Sequence, residues 1–162
     1  MPTRRAAARP RVMILVGSAS DLPVTEGALP LLERFGLPCR VEVASAHRQP
    51  ERLRRLVAAA ERAGVEVFIA AAGMAAHLPG VVASLTARPV IGVPVAAGAL
   101  AGIDALLSMV QMPPGVPVAT VAIGPAGARN AAVLAARILA LGDAAVAARL
   151  RAYRRALARG GK

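Results

Sequence analysis

Arg11-Val12-Met13-Ile14-Leu15-Val16-Gly17-Ser18-Ala19-Ser20-Asp21 joins an apolar run to a cluster of small and hydroxyl-bearing residues. The run lacks polar alternation, which is the pattern of a strand buried on both faces. The cluster is turn and helix-start chemistry, and residues 22–36 beyond it have helical content. Parallel strands need crossover connections, so a strand followed by a helix asks for further units of the same kind. They are present. Apolar, β-branched runs recur at 39–44, 65–71, 89–95 and 116–123, and helical segments follow at 50–63, 76–86, 102–111 and 126–141. The expected fold is α/β, a single three-layer (αβα) domain on a central five-stranded parallel sheet. A C-terminal helix at about 143–158 is added to it, with Asp143 as its N-cap.

The domain is expected to span 11–158, with residues 1–10 as a disordered basic arm and 159–162 as a tail. Of 162 residues 56% are hydrophobic and only 2% aromatic. Such a core is built from small aliphatic side chains and buries little area per residue. Apolar helix faces are therefore expected at interfaces between subunits. The helix at 126–141, apolar almost all round, is the first candidate.

A net charge of +11 suggests nucleic acid until it is mapped. Arg4, Arg5, Arg9 and Arg11 lie at one end, and six basic residues from Arg149 to Lys162 at the other. Between them, ten arginines face all nine acids. Nucleic-acid binders carry a basic face on the folded body, with aromatics where they stack single-stranded bases. This body has neither, so no nucleic-acid partner is expected. Cys39 is the one cysteine, which excludes an internal disulfide and a multi-cysteine zinc site. No run reaches the ~18 apolar residues of a membrane span. The apolar stretch near the N-terminus is too short for a signal-peptide core. A cytoplasmic protein without membrane contact is expected.

Three segments carry chemistry, each after a predicted strand, where open parallel sheets bind ligands. In Gly17–Asp21, free N–H groups and the Ser18 and Ser20 hydroxyls suit a phosphate, and Asp21 suits a sugar hydroxyl. Ser and Asp are equally helix-cap residues. Ser45-Ala46-His47-Arg48-Gln49-Pro50 pairs a histidine, the side chain that titrates near neutrality, with an arginine suited to anions. Gly73-Met74-Ala75-Ala76-His77-Leu78-Pro79-Gly80 offers small residues that let backbone approach a ligand. His77 reads as a site residue or as a histidine opening a helix. Ser108–Pro113 is a candidate wall or lid.

In that order and spacing these blocks resemble the PurE family, as do Gly92-Val93-Pro94, Val110-Gln111-Met112-Pro113 and Pro117–Gly124. The resemblance covers about residues 11–155. It implies a flavodoxin-like fold and chemistry on 5-aminoimidazole ribonucleotides in purine (IMP) biosynthesis. The Ala-Ala-His-Leu-Pro-Gly and His-Arg-x-Pro blocks look like the mutase class, which moves a carboxylate from the exocyclic nitrogen of N5-carboxyaminoimidazole ribonucleotide to a ring carbon. Carried across, His47 is the catalytic proton shuttle. Ser18, Ser20, Asp21, Ser45, Ala46, Arg48, Gly73, Ala75, Ala76, His77 and Leu78 bind substrate. No metal, ATP or organic cofactor is implied. A homo-octamer is implied, with the C-terminal helix packing on a neighbour, as is a functional link to an ATP-dependent carboxyaminoimidazole ribonucleotide synthase.

Gln49, Ala71 and Met74 depart from the family's usual Thr, Gly and Gly. Two other readings remain: a carboxylase using free carbon dioxide, and a non-catalytic phosphate- or nucleotide-binding module.

Overall fold

The computed structural model describes residues 9–161. Most of the expected N-terminal arm (residues 1–8) and Lys162 lie outside them. Strands β1 (Val12–Val16), β2 (Cys39–Val43), β3 (Val67–Gly73), β4 (Val90–Val95) and β5 (Ala119–Thr120) form one parallel sheet in the order β2-β1-β3-β4-β5. The helices are α1 (Leu22–Thr25), α2 (Leu29–Phe35), α3 (Pro50–Ala63), α4 (Leu78–Leu85), α5 (Ile103–Val110), α6 (Pro125–Leu139) and α7 (Ala144–Ala158).

Successive strand side chains face opposite sides of a sheet, and the two layers of core follow that period. Val12, Ile14 and Val16 pack with α2 and α6, whereas Met13 and Leu15 pack with α3 and α5. Val12–Val16 are all buried, as their unalternating sequence requires. Among the described residues no helix is long and apolar enough to cross a membrane.

Two sequence expectations are corrected and a third is narrowed. The segment 22–36 is two helices, because Pro23 and Pro30 lack an N–H to continue a ladder and instead open α1 and α2 in their first turns. The fifth strand is two residues, not eight. It lies at a sheet edge and pairs only Ile91↔Ala119 and Gly92↔Thr120, and Pro117 has no N–H to extend the ladder. Finally, the apolar face of α6 is covered by its own chain: Ala128, Ala131, Ala132, Ala135 and Ala136 are buried against the sheet, α2 and α7.

Helix α7 is held at its N-terminus and again near its middle. The Asp143 carboxylate accepts from the N–H groups of Ala145 and Val146. It also takes a 2.7 Å hydrogen bond from Arg11 Nη1, and Arg11 Nε donates to Glu66. Further along, Arg149 Nη1 donates to the Phe35 carbonyl at 3.1 Å, and Tyr153 packs edge-on against Phe35. Within the chain, α7 therefore rests on α2 and α6. Its Arg151, Arg154 and Arg155 are exposed.

Candidate active site

In this strand order β1 is flanked by β2 and β3, and the β1–β2 and β2–β3 connections run over opposite faces of the sheet. The crevice at the carboxyl ends of such strands is where doubly wound sheets bind ligands. Here Gly17–Asp21 leaves β1, Ser45–Gln49 leaves β2 and Met74–His77 leaves β3. They enclose a cleft of ≈ 470 Å³, within the range of small-molecule sites. All twelve residues singled out from the sequence line it.

Ser18 caps the 3₁₀ turn Ala19–Asp21, its Oγ accepting from Ser20 Oγ at 3.0 Å and weakly from Ser20 N. The cap reading is thus realised without removing either hydroxyl from the cleft. Burial raises the Asp21 carboxyl above its ordinary range, partly opposed by a hydrogen bond from the Ser18 backbone. Ser45 is buried, and its Oγ accepts from the Arg48 N–H at 3.2 Å and from Arg48 Nε at 3.4 Å. That hydroxyl sets the turn and steadies the guanidinium, a fork suited to phosphate or carboxylate oxygens.

His47 and His77 meet across the cleft. His47 Nε2 lies 2.6 Å from His77 Nδ1, with the rings edge to face at 83°. Either nitrogen can hold the shared proton, the other then accepting. His77 also stands at the N-terminal boundary of α4, but its side chain caps no helix N–H. Its ring is turned to the cleft.

The third loop is strained. Met74 and Ala76 adopt left-handed φ values of 55° and 44°. Each such residue is disfavoured by about 1–3 kcal/mol and persists only where its surroundings hold it. Ala76 is buried and its N–H donates to Gly73 O at 3.1 Å. The Ala75 carbonyl accepts from Ser108 Oγ of α5 at 2.5 Å.

The sequence departures are distributed unevenly. Gln49 turns away from the cleft, its Oε1 accepting from Arg52 at 3.4 Å. Ala71 is core. Met74 lines the mouth and is 59% exposed. The candidate wall 108–113 does not line the cleft in this chain. Met109 is core, and the Met112 sulfur packs over Gly80. Gly17, Ala72, Met74 and Ala97 complete the lining, although sequence reasoning assigned them no binding role. Ala97 follows β4, so its place after a parallel strand was the available signal. Among the described residues no group of three or more His, Cys, Asp or Glu side chains gathers as a metal-binding set.

The AIR carboxylase family model matches residues 11–159. The chain is 54% identical over 145 residues to the N5-carboxyaminoimidazole ribonucleotide mutase of Pyrococcus horikoshii, covering 90% of this chain and 81% of that one. It is 51% identical over 146 residues to the Escherichia coli K12 protein of the same name, covering 90% and 86%. The crystal structure of Treponema denticola PurE superposes with a TM-score of 0.85 at 31% identity, covering 94% of each chain. The chain belongs to the AIR carboxylase family.

Proposed function

We infer that the chain is an N5-carboxyaminoimidazole ribonucleotide mutase of purine biosynthesis. The observation that carries this is identity above 50%, over nine-tenths of the chain, to proteins of that name. The free-carbon-dioxide carboxylase and the non-catalytic binding module have no comparable support.

In the reaction we propose, the ribonucleotide phosphate is held by the Arg48 guanidinium and the N–H and hydroxyl groups of Ser18–Ser20, while Asp21 accepts from the ribose. Gly73, Ala75, Ala76 and Leu78, with Ala46, form the close walls around the heterocycle, and Ser45 orients Arg48. The bond between the exocyclic nitrogen and its carboxylate carbon breaks, carbon dioxide departs, and the nitrogen takes a proton from His47. The electron-rich ring carbon then attacks the trapped carbon dioxide, forming a C–C bond. His47 removes the proton from that carbon and aromaticity returns. One proton enters at nitrogen and one leaves from carbon, so a single imidazole that can both give and take a proton serves both steps. The adjacent His77 nitrogen, 2.6 Å away, supports this reading, because it can accept or return the proton between them.

Residues 11–158 act as one catalytic domain in this proposal, working in the cytoplasm as a homo-octamer. Its substrate comes from an ATP-dependent synthase. The exposed apolar stripe of Ile103, Leu107 and Val110 on α5, with Leu100 before it, supports subunit contact near the cleft. Assays with the carboxyamino substrate, and with aminoimidazole ribonucleotide at low bicarbonate, test the reading. Turnover of the first alone is expected. Equal rates would overturn it in favour of the carboxylase.

A further inference from the structure

Serine and threonine within helices ordinarily turn their hydroxyls back to a carbonyl three or four residues earlier. Two residues here do so: Thr25 Oγ1 donates to Leu22 O at 2.8 Å, and Ser84 Oγ to Val81 O at 2.7 Å. Ser108 on α5 does not. Its Oγ donates across 33 positions of sequence to the Ala75 carbonyl at 2.5 Å. The acceptor is itself unusual, because Ala75 lies between Met74 and Ala76, both at positive φ. A loop so strained tends to relax to negative φ unless something outside it holds it.

We propose that Ser108 is a positioning residue: by anchoring the Ala75 carbonyl it keeps the 73–77 loop in the left-handed conformation that sets His77 against His47. Ala75, Ala76 and His77 are consecutive, so rotation of the Ala75–Ala76 peptide moves the His77 backbone. The 2.6 Å contact between Nδ1 and Nε2 does not survive a shift of an ångström or more. Ser108 lies outside the cleft lining, and its hydroxyl hydrogen-bonds to backbone of the loop. Its effect on turnover is through His77. Glycine adopts left-handed φ as readily as right-handed, so a glycine at position 74 removes much of the tendency that Ser108 resists.

The inference rests on the mutase reading for its kinetic consequence, but its structural half stands alone. The test is a double-mutant cycle between Ser108→Ala and Met74→Gly, with Ser108→Thr as the conservative control. Ser108→Ala is expected to lower kcat by about fivefold or more in the wild-type background and by less than about twofold in the Met74→Gly background, with KM little changed in either. Ser108→Thr keeps the hydroxyl and is expected to restore the rate. Nitrogen-15 imidazole spectra of the substrate-free enzyme should show the His77 Nδ1 resonance move in Ser108→Ala and return in Ser108→Thr. That readout reports the loop even if the carboxyamino compound is not a substrate. An unmoved His77 resonance in Ser108→Ala, or equal kcat losses in the two backgrounds, overturns the proposal.

Discussion

His47 Nε2 and His77 Nδ1 stand 2.6 Å apart, although 30 residues separate them in the chain. A contact that short requires one ring nitrogen to donate and the other to accept. The rings are therefore a hydrogen-bonded pair facing each other across the cleft. In the proposed reaction, His47 without this partner would have to exchange each proton with water.

Removing either partner should reveal the coupling. His47→Asn is expected to lower kcat by ~10²-fold or more while ligand affinity stays within about tenfold. His77→Phe should cost roughly tenfold, and the double variant should be no slower than His47→Asn alone, because residues acting as a unit are non-additive. Steady-state kinetics of the three variants check this, and additive losses would separate the two histidines.

Asp21 should trade stability for binding. Burial raises its carboxyl, so the folded state holds that proton at a pH where the unfolded chain has released it. Stability from this group consequently falls as pH rises from the ordinary carboxyl value of ~3.9 through the raised one. Asp21→Asn is expected to melt higher than wild type at pH 7, with the difference gone near pH 3, and to bind the ribonucleotide more weakly. Melting curves at the two pH values, with one binding isotherm, decide it.

Asp143 should behave in the opposite sense. Hydrogen bonds from Val146 N, Arg11 and Ala145 N hold its carboxyl below the ordinary range. Its contribution is present above the unfolded value and is lost as pH falls through the lowered folded one. Asp143→Ala is expected to lower Tm at pH 7, with the gap closing in acid. Asp143→Asn should fall between, since asparagine caps a helix but makes no ion pair with Arg11. Loosening of α7 can be followed by amide exchange at Ala145 and Val146.

Gly127 should tolerate no side chain. A Cβ there would lie 1.6 Å from the Ala122 carbonyl oxygen and 2.7 Å from its carbon, which are backbone atoms that cannot swing aside. Gly127→Ala is expected to destabilise by about 1–3 kcal/mol or more through forced separation of α6 from the 122–124 turn. Gly64→Ala serves as the comparison, because it has open space and only an unfavourable φ of 100°. Urea denaturation of the two variants gives the contrast.

Much of the fold was legible because doubly buried strands and amphipathic helices write their periods locally. α3 was expected at 50–63 and spans Pro50–Ala63. Pro50 and Glu51 open it, and Gly64 ends it in a left-handed cap. The fifth strand was overextended, since 116–123 is apolar throughout while pairing depends on how far a neighbour's edge reaches. The expectation for α6 has a similar origin. α6 is apolar because α2, α7 and the sheet surround it, whereas the exposed stripe is on α5, where Ile103, Leu107 and Val110 occupy one side. Composition reports that a face must be covered, not by which chain.

The cleft divides in the same way. Ser18, Asp21, His47, Arg48 and His77 could be named from sequence as cleft residues because each follows a strand, and their side chains suit phosphate holding and proton exchange. That His77 faces His47 rather than merely opening α4 could not be read, nor could the bond from Ser108 to Ala75 that crosses from α5. The first depends on β2 and β3 lying on either side of β1, about 10 Å apart at a spacing of ~4.8 Å per strand, and the second on β4, which leads to α5, lying beside β3. Strand order is set by how the helices pack over the whole sheet. Local sequence therefore determined which side chains leave the strand ends, and tertiary packing alone decided which of them touch.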